Sequence, residues 1–550
     1  MVSFFQIFSF IWVIRTIKFV LFWIYLWQLK EYHIGRFADH FTTHKGKKIF
    51  LNYLWLSKFA LLLLLFLDFQ TGFYLLLLVY LAESLIFILN LARKSAVFPK
   101  FTAKTVLLST LAVADVVGYL WFSYTYVQPG LWFVVALLLY DIFVPLIVSL
   151  IVLIIEPFFM KARTNILKKA TAKMAEFHLS AGGLKVIGIT GSYGKTSTKE
   201  FLTTILASKF NVLATPEHKN SEMGIAQTIL HDLSVQGGPA SGGKPYEIFI
   251  VEMGSYNKGG IKLLCDIVRP NIGIVTGVNQ QHLATFGSLE NLLSAEGGEE
   301  LVKSLPNDGL IILNGDNKYC LDLYKKTEGV NKKIYTVKKD LLDADIWTED
   351  VTVTTTALSF LVNSRQKEMV HVNVNILGKH NVQNLLGAML IAKELGMSLE
   401  EISQACQNIE QKQAGMTLKT GIHGINIIDS SYSANPDGVM ADLDYLNNFS
   451  AKKVVIMPCL IELGSKSIEA HIQIGKKIAE TCDLAIITTK DKFKEIKMGA
   501  VMSGMAENQI LLCDKPHEIF SHITTFCKEN DAVLLEGGRP KELIRLLNGK

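Results

Sequence analysis

The first 155 residues contain five stretches that are apolar for long enough to cross a lipid bilayer as helices. A bilayer core of about 30 Å needs roughly 20 apolar residues in one helix. The stretches lie at about residues 6–27, 49–67, 72–92, 105–127 and 131–155. They predict an α-helical membrane domain over residues 1–160, and they exclude a wholly soluble protein and an intrinsically disordered one.

The first stretch differs from the other four because Arg15 and Lys18 interrupt its middle. It does not have the pattern of a cleaved signal peptide, since no basic residue precedes its apolar run and no small-residue cleavage site follows it. It is the weakest of the five, and lying along the membrane surface is the alternative to crossing it.

Basic residues are distributed unevenly among the loops. Lysine and arginine are concentrated after the first, third and fifth stretches, whereas the turns at residues 68–71 and 128–130 contain neither. Because cytoplasmic loops carry the excess of basic residues, the pattern places the N-terminus outside and everything after residue 156 in the cytoplasm. We therefore expect a multi-pass protein of the cell (inner) membrane with its other domains in the cytoplasm.

Three acidic residues, Glu83, Asp115 and Asp141, fall near the middle of predicted helices, at about the depth of Arg15 and Lys18. Charges at this depth are costly and usually face partners inside a helix bundle. Ion pairing between helices is the simpler interpretation. One alternative is that these acids contact a substrate. The other is that the predicted helix positions are wrong, so that the acids do not lie at this depth.

The composition of the whole chain excludes several classes of protein. The net charge is only +5 over 550 residues, which gives no support to nucleic-acid binding. The seven cysteines are scattered and form no CxxC pair. This indicates reduced intracellular thiols and not a disulfide framework or a zinc site.

From about residue 160 the pattern changes to short apolar runs that alternate with amphipathic helices, as in an α/β domain with a parallel sheet. The run KVIGIT at 185–190 predicts a buried strand, followed by a glycine loop and a helix over 198–208. Such a P-loop presents backbone N–H groups to a phosphate, Lys195 would contact the β- and γ-phosphates, and the Thr196 hydroxyl would bind Mg²⁺. A glycine-rich turn with an incidental lysine is the alternative. The predicted ATP-binding residues of the loop are Gly191, Ser192, Tyr193, Gly194, Lys195, Thr196 and Ser197.

Two further strands bring candidate metal ligands to the same edge of the sheet. The strand at 246–253 carries Glu252 at its carboxyl end, and the strand at 271–278 is followed by His282. Ligands of open parallel sheets collect at the carboxyl ends of strands. Glu252 is therefore placed to hold Mg²⁺, and His282 is a candidate metal ligand or acid/base group. A surface acid and a structural histidine are the alternatives.

A second α/β domain is expected beyond a boundary near residue 412. Its predicted strands alternate with helices, which is typical of a Rossmann-like fold. Arg539 follows the last of these strands and could bind a carboxylate of an incoming amino acid or dipeptide, although a solvated arginine is equally consistent. The predicted order is a membrane domain at 1–160, a basic connector at 161–183, a P-loop central ATP-binding domain at 184–412 and a C-terminal domain at 413–550.

Nine blocks between residues 183 and 545 resemble the Mur ligase family. In chain order they are TGSYGKTS (190–197), KNSEMGI (219–225), VEMG (251–254), VRPNIGIV (268–275), HLATFGSLEN (282–291), LPNDGLIILNGD (305–316), LGKHNVQNLLGA (377–388), IIDSSYSANPDG (427–438) and IELG (461–464). Their number and order make the resemblance specific. The branch they resemble most adds D-alanyl-D-alanine to UDP-N-acetylmuramoyl-tripeptide.

The resemblance implies a ligase of cell-wall precursor (peptidoglycan) synthesis with ATP and Mg²⁺ as cofactors. In the family, the γ-phosphate of ATP activates a substrate carboxylate as an acyl phosphate, and an amine then attacks it to form an amide. Lys195 and its loop would bind the ATP phosphates, and Thr196, Glu252 and His282 would organise the Mg²⁺ ions. The other implied residues are Asn381 at the adenine and, at the C-terminal edge of the nucleotide cleft, Asp429, Tyr432 and Asn435.

The chain departs from the family pattern at three positions of the site, one of which is near Met416, where a basic residue is expected and Lys419 is the nearest substitute. Many members have a carbamylated lysine that binds a second Mg²⁺, and Gly298 stands in its place here. Glu299 or Glu300 could offer a carboxylate to that metal instead. Ser430 replaces the second residue of the usual Asp-Asp pair, which removes one expected contact.

Soluble members of the branch also place a uridine-nucleotide-binding domain before the glycine loop, where this chain has a basic helical connector at residues 156–184. We therefore expect a lipid-linked or membrane-delivered muropeptide acceptor, with the helices in place of the uridine domain. A soluble acceptor, with the helices acting as an anchor, is the alternative, as is an inactive relative. Another amide ligase of the superfamily, such as a polyglutamate-forming type, and a non-catalytic ATP-binding membrane protein also remain open.

Overall fold

The computed structural model describes residues 2–30, 32, 34–41, 44–50, 53–93, 96–179, 183–233, 243–279, 282–339, 344–431, 434–461, 463–538 and 541–549. The chain divides into two compact units, Met1–Thr164 and Asn165–Lys550.

The first unit is helical. Its helices are α1 (Val2–Leu29), α2 (Ile34–His40), α3 (His44–Phe50), α4 (Tyr53–Leu67), α5 (Phe69–Ala92), α6 (Ala103–Phe122) with a π-helical turn at Ser123–Val127, and the first part of α7 (Leu131–Leu179), which belongs to the second unit from Asn165 on. The connector predicted at residues 161–183 is largely the last part of α7, because this helix continues unbroken to Leu179.

Four of the five predicted stretches form helices that are long and apolar enough to cross a membrane. These are Phe4–Leu29, Phe69–Ala92, Ala103–Val127 and Leu131–Leu179. In the second stretch, the described residues contain a shorter apolar helix at Trp55–Leu67. Asp68 follows this helix and caps the next one, accepting hydrogen bonds from the backbone N–H groups of Gln70 and Thr71.

Charged side chains in the middle of this unit pair with one another, as the simpler interpretation predicted. Arg15 forms ion pairs with Glu83 and Asp141, and Lys58 Nζ lies 2.8 Å from Asp141 Oδ2. Asp115 accepts a hydrogen bond of 2.6 Å from the Tyr140 hydroxyl. Buried aromatic and aliphatic side chains surround this cluster, and Arg15 and Lys58 are paired with carboxylates inside it.

The second unit contains a nine-stranded sheet in the order β2-β3-β1-β4-β5-β6-β7-β8-β9. The strands are β1 (Lys185–Thr190), β2 (Val212–Ala214), β3 (Ile248–Glu252), β4 (Ile272–Val275), β5 (Leu310–Asn314), β6 (Asn331–Thr336), β7 (Ile346–Val353), β8 (Leu358–Ser364) and β9 (Met369–Val374). Pairing is parallel from β2 to β7 and antiparallel from β7 to β9. The predicted parallel sheet is thus confirmed for its first seven strands.

Helices cover both faces of the parallel strands. They are α8 (Lys195–Ala207), α9 (Glu222–His231), α10 (Gly260–Val268), α11 (Leu283–Phe286), α12 (Leu289–Ser294), α13 (Glu299–Ser304), α14 (Lys318–Lys326), α15 (Asn381–Glu394) and α16 (Leu399–Cys406). In β3, Ile248 and Ile250 pack in one hydrophobic cluster and Phe249 and Val251 in another. A strand buried on both faces explains the continuous apolar runs in the sequence.

A six-stranded sheet follows, in the order β10-β11-β15-β12-β13-β14. Its strands are β10 (Thr417–Thr420), β11 (Asn426–Ser430), β12 (Lys453–Met457), β13 (Leu484–Ile487), β14 (Ile510–Leu512) and β15 (Ala532–Glu536), and its helices are α17 (Pro436–Leu446), α18 (Ser467–Thr481), α19 (Phe493–Met502), α20 (Pro516–Phe526) and α21 (Lys541–Leu547). Only β10 pairs antiparallel with its neighbour among these strands. The change of sheet after Val374 is compatible with the domain boundary near residue 412, which stays a prediction.

Candidate functional site

A tight glycine loop joins β1 to α8. Gly191 and Gly194 have φ values of +137° and +77°, a region that side chains disfavour. A Cβ atom would lie 2.3 Å from Thr276 Oγ1 at Gly191 and 2.4 Å from Asn384 Oδ1 at Gly194. The loop therefore needs glycine at both positions, and it ends directly at the N-terminus of α8.

A cavity of about 410 Å³ opens at this loop. The central sheet domain supplies one wall and the C-terminal sheet domain supplies the other. The residues that line it are Ser192, Tyr193, Gly194, Lys195, Thr196, Ser197, Asn220, Glu252, Tyr256, His282, His380, Gln383, Asn384, Ala414, Gly415, Met416, Ser430, Asn435, Asp437, Gly438 and Asp442. Nine of the residues predicted from the sequence thus meet at one cavity.

Lys195 is the first residue of α8 and is mostly buried at the cavity wall. Its Nζ donates a hydrogen bond to the Gly191 carbonyl oxygen and lies 3.9 Å from Glu296 Oε1. The side chain is 13% exposed. A lysine folded back over its own loop places its positive charge beside the helix N-terminus, and both attract an anion.

Glu252 lies beside Thr196, as expected from the pairing of β3 with β1. The Thr196 hydroxyl donates to Glu252 Oε1 at 3.1 Å, and Asn220 Nδ2 donates to the same oxygen at 3.0 Å. Lys199 Nζ lies 3.5 Å from Glu252 Oε2, and the Thr215 hydroxyl accepts from the Glu252 backbone N–H at 3.0 Å. These contacts fix the orientation of the carboxylate at the cavity.

His282 and Lys195 share a carboxylate that the sequence interpretation missed. Glu296 Oε1 lies 3.1 Å from His282 Nδ1, and Glu296 Oε2 accepts a 2.9 Å hydrogen bond from the Ser192 hydroxyl. Burial would raise the pKa of Glu296, but the charge of Lys195 and the hydrogen bonds from His282 and Ser192 outweigh it, and the net pKa is lowered. Glu296 is therefore an ionised acid that joins the glycine loop to His282.

The two acids considered from the sequence have other positions. Glu300 accepts hydrogen bonds from the backbone N–H groups of Gly259 and Lys262, at 2.7 and 2.9 Å, so it caps α10. Glu299 Oε2 lies 3.8 Å from Lys303 Nζ. Neither residue lines the cavity. The only sequence signal for Glu296 was an acid beside Gly-Gly, shortly after the block that contains His282.

The C-terminal wall is held to the central domain by polar contacts. Asn279 Nδ2 lies 3.4 Å from Asn435 Oδ1 and 2.9 Å from Asp437 Oδ2. Asn435 also caps α17 by accepting a hydrogen bond of 3.0 Å from the Gly438 N–H. The predicted role of Asn435 at the edge of the cleft is therefore compatible with its place between the two domains.

Ser430 and Asp442 form a second polar group on this wall. The Ser430 hydroxyl donates to Asp442 Oδ2, and His380 Nδ1 lies 3.9 Å from Asp442 Oδ1. Burial raises the pKa of Asp442, and burial together with the charge of Asp442 raises the pKa of Glu536. An acid that the sequence did not single out, Asp442, thus contacts the serine that replaces the usual aspartate.

Two of the other predicted residues, Asn381 and Asp429, do not line the cavity. Asn381 is fully buried, and its Nδ2 donates to the Leu377 carbonyl oxygen at 2.8 Å. Its contact with adenine stays a prediction; in the structure its Oδ1 accepts from Asn384 Nδ2 at 3.1 Å, and Asn384 does line the cavity. Asp429 accepts a 2.8 Å hydrogen bond from the Ser431 hydroxyl. Tyr432 and Arg539 lie outside the described residues.

The residues present fit a magnesium nucleotide. The glycine cradle leaves room that a Cβ atom would fill, and Thr196 and Glu252 offer adjacent oxygen donors, which Mg²⁺ prefers. Over the part of the chain that the structure describes, no three His, Cys, Asp or Glu side chains form a complete metal site. The protein would therefore supply part of the Mg²⁺ coordination and phosphate oxygens the rest.

Comparison with known proteins identifies relatives of the second unit. Residues 189–392 match the Mur ligase middle domain, and residues 416–539 match the Mur ligase, glutamate ligase domain. The chain is 30% identical over 346 residues to a UDP-N-acetylmuramoyl-tripeptide–D-alanyl-D-alanine ligase of Mycobacterium bovis, which covers 61% of this chain and 64% of that relative. It thus spans less than two thirds of the relative's length.

Solved structures resemble the same part of the chain, the central and C-terminal domains. MurF from Acinetobacter baumannii superimposes with a TM-score of 0.61 at 22% identity, covering 70% of this chain and 81% of the other. MurF ligase from Thermotoga maritima in complex with ADP gives 0.59 at 21% identity, covering 70% and 83%. At these identities the likeness establishes the fold of the central and C-terminal α/β domains alone.

Proposed function

Because the chain belongs to the Mur ligase family through its middle and C-terminal domains, we propose that it is an ATP-dependent ligase that forms an amide bond on a peptidoglycan precursor. The observation that carries the proposal is the cavity at the glycine loop. Lys195, Thr196 and Glu252 line it from the central domain, and Asn435 lines it from the C-terminal domain.

When bound, ATP would supply the phosphoryl group that converts a substrate carboxylate into an acyl phosphate, and attack by an amine would release that phosphate as the amide forms. Lys195 would offset the repulsion between the carboxylate and the phosphate oxygens. The N-terminus of α8 and the loop N–H groups would hold the phosphates in place.

Thr196 and Glu252 would hold Mg²⁺ at the phosphates, since their oxygens are adjacent and buried polar contacts fix the carboxylate. His282 would face the same region. Glu296 would act as a positioning residue, because it contacts Ser192 and His282 and lies within ion-pair distance of Lys195. The metal and nucleotide roles of these residues are proposals that rest on this arrangement.

The proposed acceptor is a muropeptide with a free carboxylate, and the proposed amine is D-alanyl-D-alanine or an amino acid. The four helices of membrane-spanning length support an enzyme at the cell membrane. The basic residues that follow the fifth apolar stretch support placing its ligase domains in the cytoplasm. We further propose that the acceptor is lipid-linked or presented at the membrane surface.

The test uses the full-length protein in lipid nanodiscs with Mg-ATP and D-alanyl-D-alanine. Two acceptors are compared, UDP-N-acetylmuramoyl-tripeptide and the same muropeptide on a polyprenyl diphosphate, and mass spectrometry detects the product. We expect ADP, phosphate and an amide product only when all substrates are present, with the lipid-linked acceptor preferred.

Lys195→Met should lower turnover about 100–1,000-fold, the range for loss of one group that stabilises a transition-state charge. Lys303→Met, at an exposed lysine of the same domain, should retain turnover. ATP-dependent product formation that survives Lys195→Met would contradict the proposed site. Equal turnover of the two acceptors would remove the lipid-linked proposal and leave the ligase proposal intact.

A further inference from the structure

The helical unit contains a second cavity, of about 460 Å³, which the proposed ligase reaction does not use. Four basic side chains line it, Arg15, Lys18, Lys48 and Lys58, together with one acid, Glu83. Apolar side chains and the amide of Asn90 form the rest of its wall. A cavity that combines several cations with apolar walls has the properties of a site for an anionic amphiphile.

Two of the four cations are buried and already paired. Arg15 contacts both Glu83 and Asp141, and Lys58 Nζ lies 2.8 Å from Asp141 Oδ2. Relative exposure is 3% for Arg15 and 1% for Lys58. The Tyr80 hydroxyl donates to Asp141 Oδ2 at 3.2 Å. This network fixes the inner end of the cavity.

The other two cations are less enclosed, since Lys18 is half-buried and Lys48 is exposed. Among the described residues, no carboxylate lies within ion-pair distance of Lys18 or Lys48, and Lys18 Nζ lies 5.7 Å from the centre of the Phe87 ring. Four cations against two carboxylates, Glu83 and Asp141, leave a formal surplus of two positive charges. The surplus gives the cavity a positive electrostatic potential, which favours a bound dianion.

The apolar part of the wall opens towards the outer surface of the helices. Phe22 and Trp55 line the cavity together with Ile86 and Val97. Ile86 is 49% exposed and Val97 is 52% exposed, and Leu85 and Leu89 are exposed beside Ile86 on α5. A hydrocarbon chain could therefore enter from the apolar surface while its charged head reaches the lysines.

We propose that this cavity binds a lipid phosphate, with the phosphate head group at Lys18 and Lys48 and the hydrocarbon chain against Phe22, Trp55, Ile86 and Val97. The two lysines supply charge-assisted hydrogen bonds to the phosphate oxygens. Arg15 and Lys58 add positive potential from the paired network behind them. This binding requires no ligase activity, so it can be tested separately from the proposed function.

The experiment measures equilibrium binding to the full-length protein in phosphatidylcholine nanodiscs, and nanodiscs without protein provide the correction for partitioning. The probes are farnesyl phosphate, farnesol and inorganic phosphate. We expect saturable binding of farnesyl phosphate, at least tenfold weaker binding of farnesol, and inorganic phosphate too weak to compete at equal concentration. This pattern would require both the head group and the chain.

Lys18→Gln and Lys48→Gln should each weaken binding of farnesyl phosphate about tenfold, as for loss of one charge-assisted hydrogen bond. Lys47→Gln is the matched control, because Lys47 is exposed on the same short helix as Lys48 and does not line the cavity. It should change the affinity less than twofold. Thermal unfolding of each variant checks that the helical unit remains folded.

Three results would overturn the proposal. Farnesol binding as tightly as farnesyl phosphate would indicate a purely apolar cavity. Inorganic phosphate binding as tightly as farnesyl phosphate would indicate a site for a free anion and not for a lipid. Unchanged affinity in both folded variants, Lys18→Gln and Lys48→Gln, would place the ligand elsewhere.

Discussion

Arg15 in the helical unit is a buried cation and Lys195 in the cleft of the ligase domains is a half-buried one, and their charges are compensated to different degrees. Arg15 contacts two carboxylates, and its side chain is 4% exposed. Lys195 lies 3.9 Å from one carboxylate oxygen and lines an open cavity. A cation that is matched within the protein holds helices together, whereas one that is incompletely matched remains available to a ligand.

This difference separates effects on stability from effects on activity. Removing Arg15 would leave Glu83 and Asp141 short of positive charge inside an apolar bundle, which is strongly unfavourable. Removing Lys195 would leave Glu296 with its hydrogen bonds to Ser192 and His282, so the cost to stability should be small. Replacing Arg15 should therefore lower mainly the stability of the protein, whereas replacing Lys195 should lower mainly its activity.

The largest expected effect on stability is that of Arg15→Ala. Breaking a buried ion pair by removing one partner costs about 3–5 kcal/mol, so the helical unit should unfold at a much lower temperature or fail to accumulate. Thermal unfolding in nanodiscs, followed by tryptophan fluorescence, measures this loss. Six of the seven tryptophans lie in the helical unit, so the signal reports mainly on it.

A double variant sharpens the interpretation. Arg15→Met with Glu83→Gln removes one charge of each sign and keeps the pair between Lys58 and Asp141. It should recover most of the stability, because neutral replacement of a buried ion pair is often tolerated. If the double variant were as unstable as Arg15→Ala, packing of the arginine stem and not charge compensation would be its main contribution.

A second prediction compares two buried glutamates, Glu296 and Glu300, which lie close together in the sequence but contact different groups. Glu296→Gln should lower kcat/KM about 10–100-fold, the usual effect of losing a group that orients a ligand-binding residue. It weakens the orientation of Lys195 and His282. The pH profile of kcat should shift as well, because the ionisable carboxyl group beside Lys195 is lost.

Glu300→Gln provides the matched control. Glu300 caps α10 through the Gly259 and Lys262 N–H groups, so its replacement should lower the melting temperature and leave kcat/KM of the folded protein unchanged. A pH profile that did not change in Glu296→Gln would restrict Glu296 to a structural role. Glu296→Asp should restore part of the activity if the charge is what matters.

The contact between Thr196 and Glu252 could be predicted because it follows from local rules. The glycine loop must follow β1, and Glu252 ends β3, so the two meet as soon as these strands pair in parallel. Neither inference requires knowledge of loop packing. The same reasoning placed His282 after β4 at the same edge of the sheet.

Glu296 and Asn381 show where such rules end. Glu296 lies in a turn between two short helices, and its distance from Lys195 depends on how that turn packs. The hydrophobic periodicity of the sequence carries no information on how this turn packs. Asn381 was placed at adenine by resemblance, yet its side chain is enclosed by backbone oxygens. The order of strands beyond β3 likewise depends on long-range pairing that the sequence alone does not state.

A third, smaller effect concerns an acid beside the cleft. Burial, followed by the charge of Asp442, raises the pKa of Glu536 well above its ordinary value of 4.5. Above pH 4.5 the unfolded chain releases this proton while the folded chain keeps it, so stability falls as pH rises towards the folded pKa. Glu536→Gln should therefore increase the melting temperature at pH 7.5 and have little effect near pH 4.5.

The expected gain is about 1–2 kcal/mol, within the range for a buried polar group whose desolvation is relieved. Differential scanning calorimetry between pH 4.5 and pH 8 measures it. Glu529→Gln, at an exposed position of the same domain, should show no such trend. A gain that did not depend on pH would attribute the effect to packing and not to the retained proton.

The smallest expected effect is at the exposed ion pair between Lys262 and Asp266, which completes the comparison of matched charges. Lys262 Nζ lies 2.9 Å from Asp266 Oδ2, and the side chains are 62% and 58% exposed. Pairs of this kind in helices contribute only about 0.3–0.5 kcal/mol because water and salt screen them. Asp266→Asn should shift the melting temperature by less than about 2 °C, and the shift should vanish in 1 M salt, where the screening length is about 3 Å. A shift as large as that of Arg15→Ala would mean that burial does not decide what a matched charge contributes in this protein.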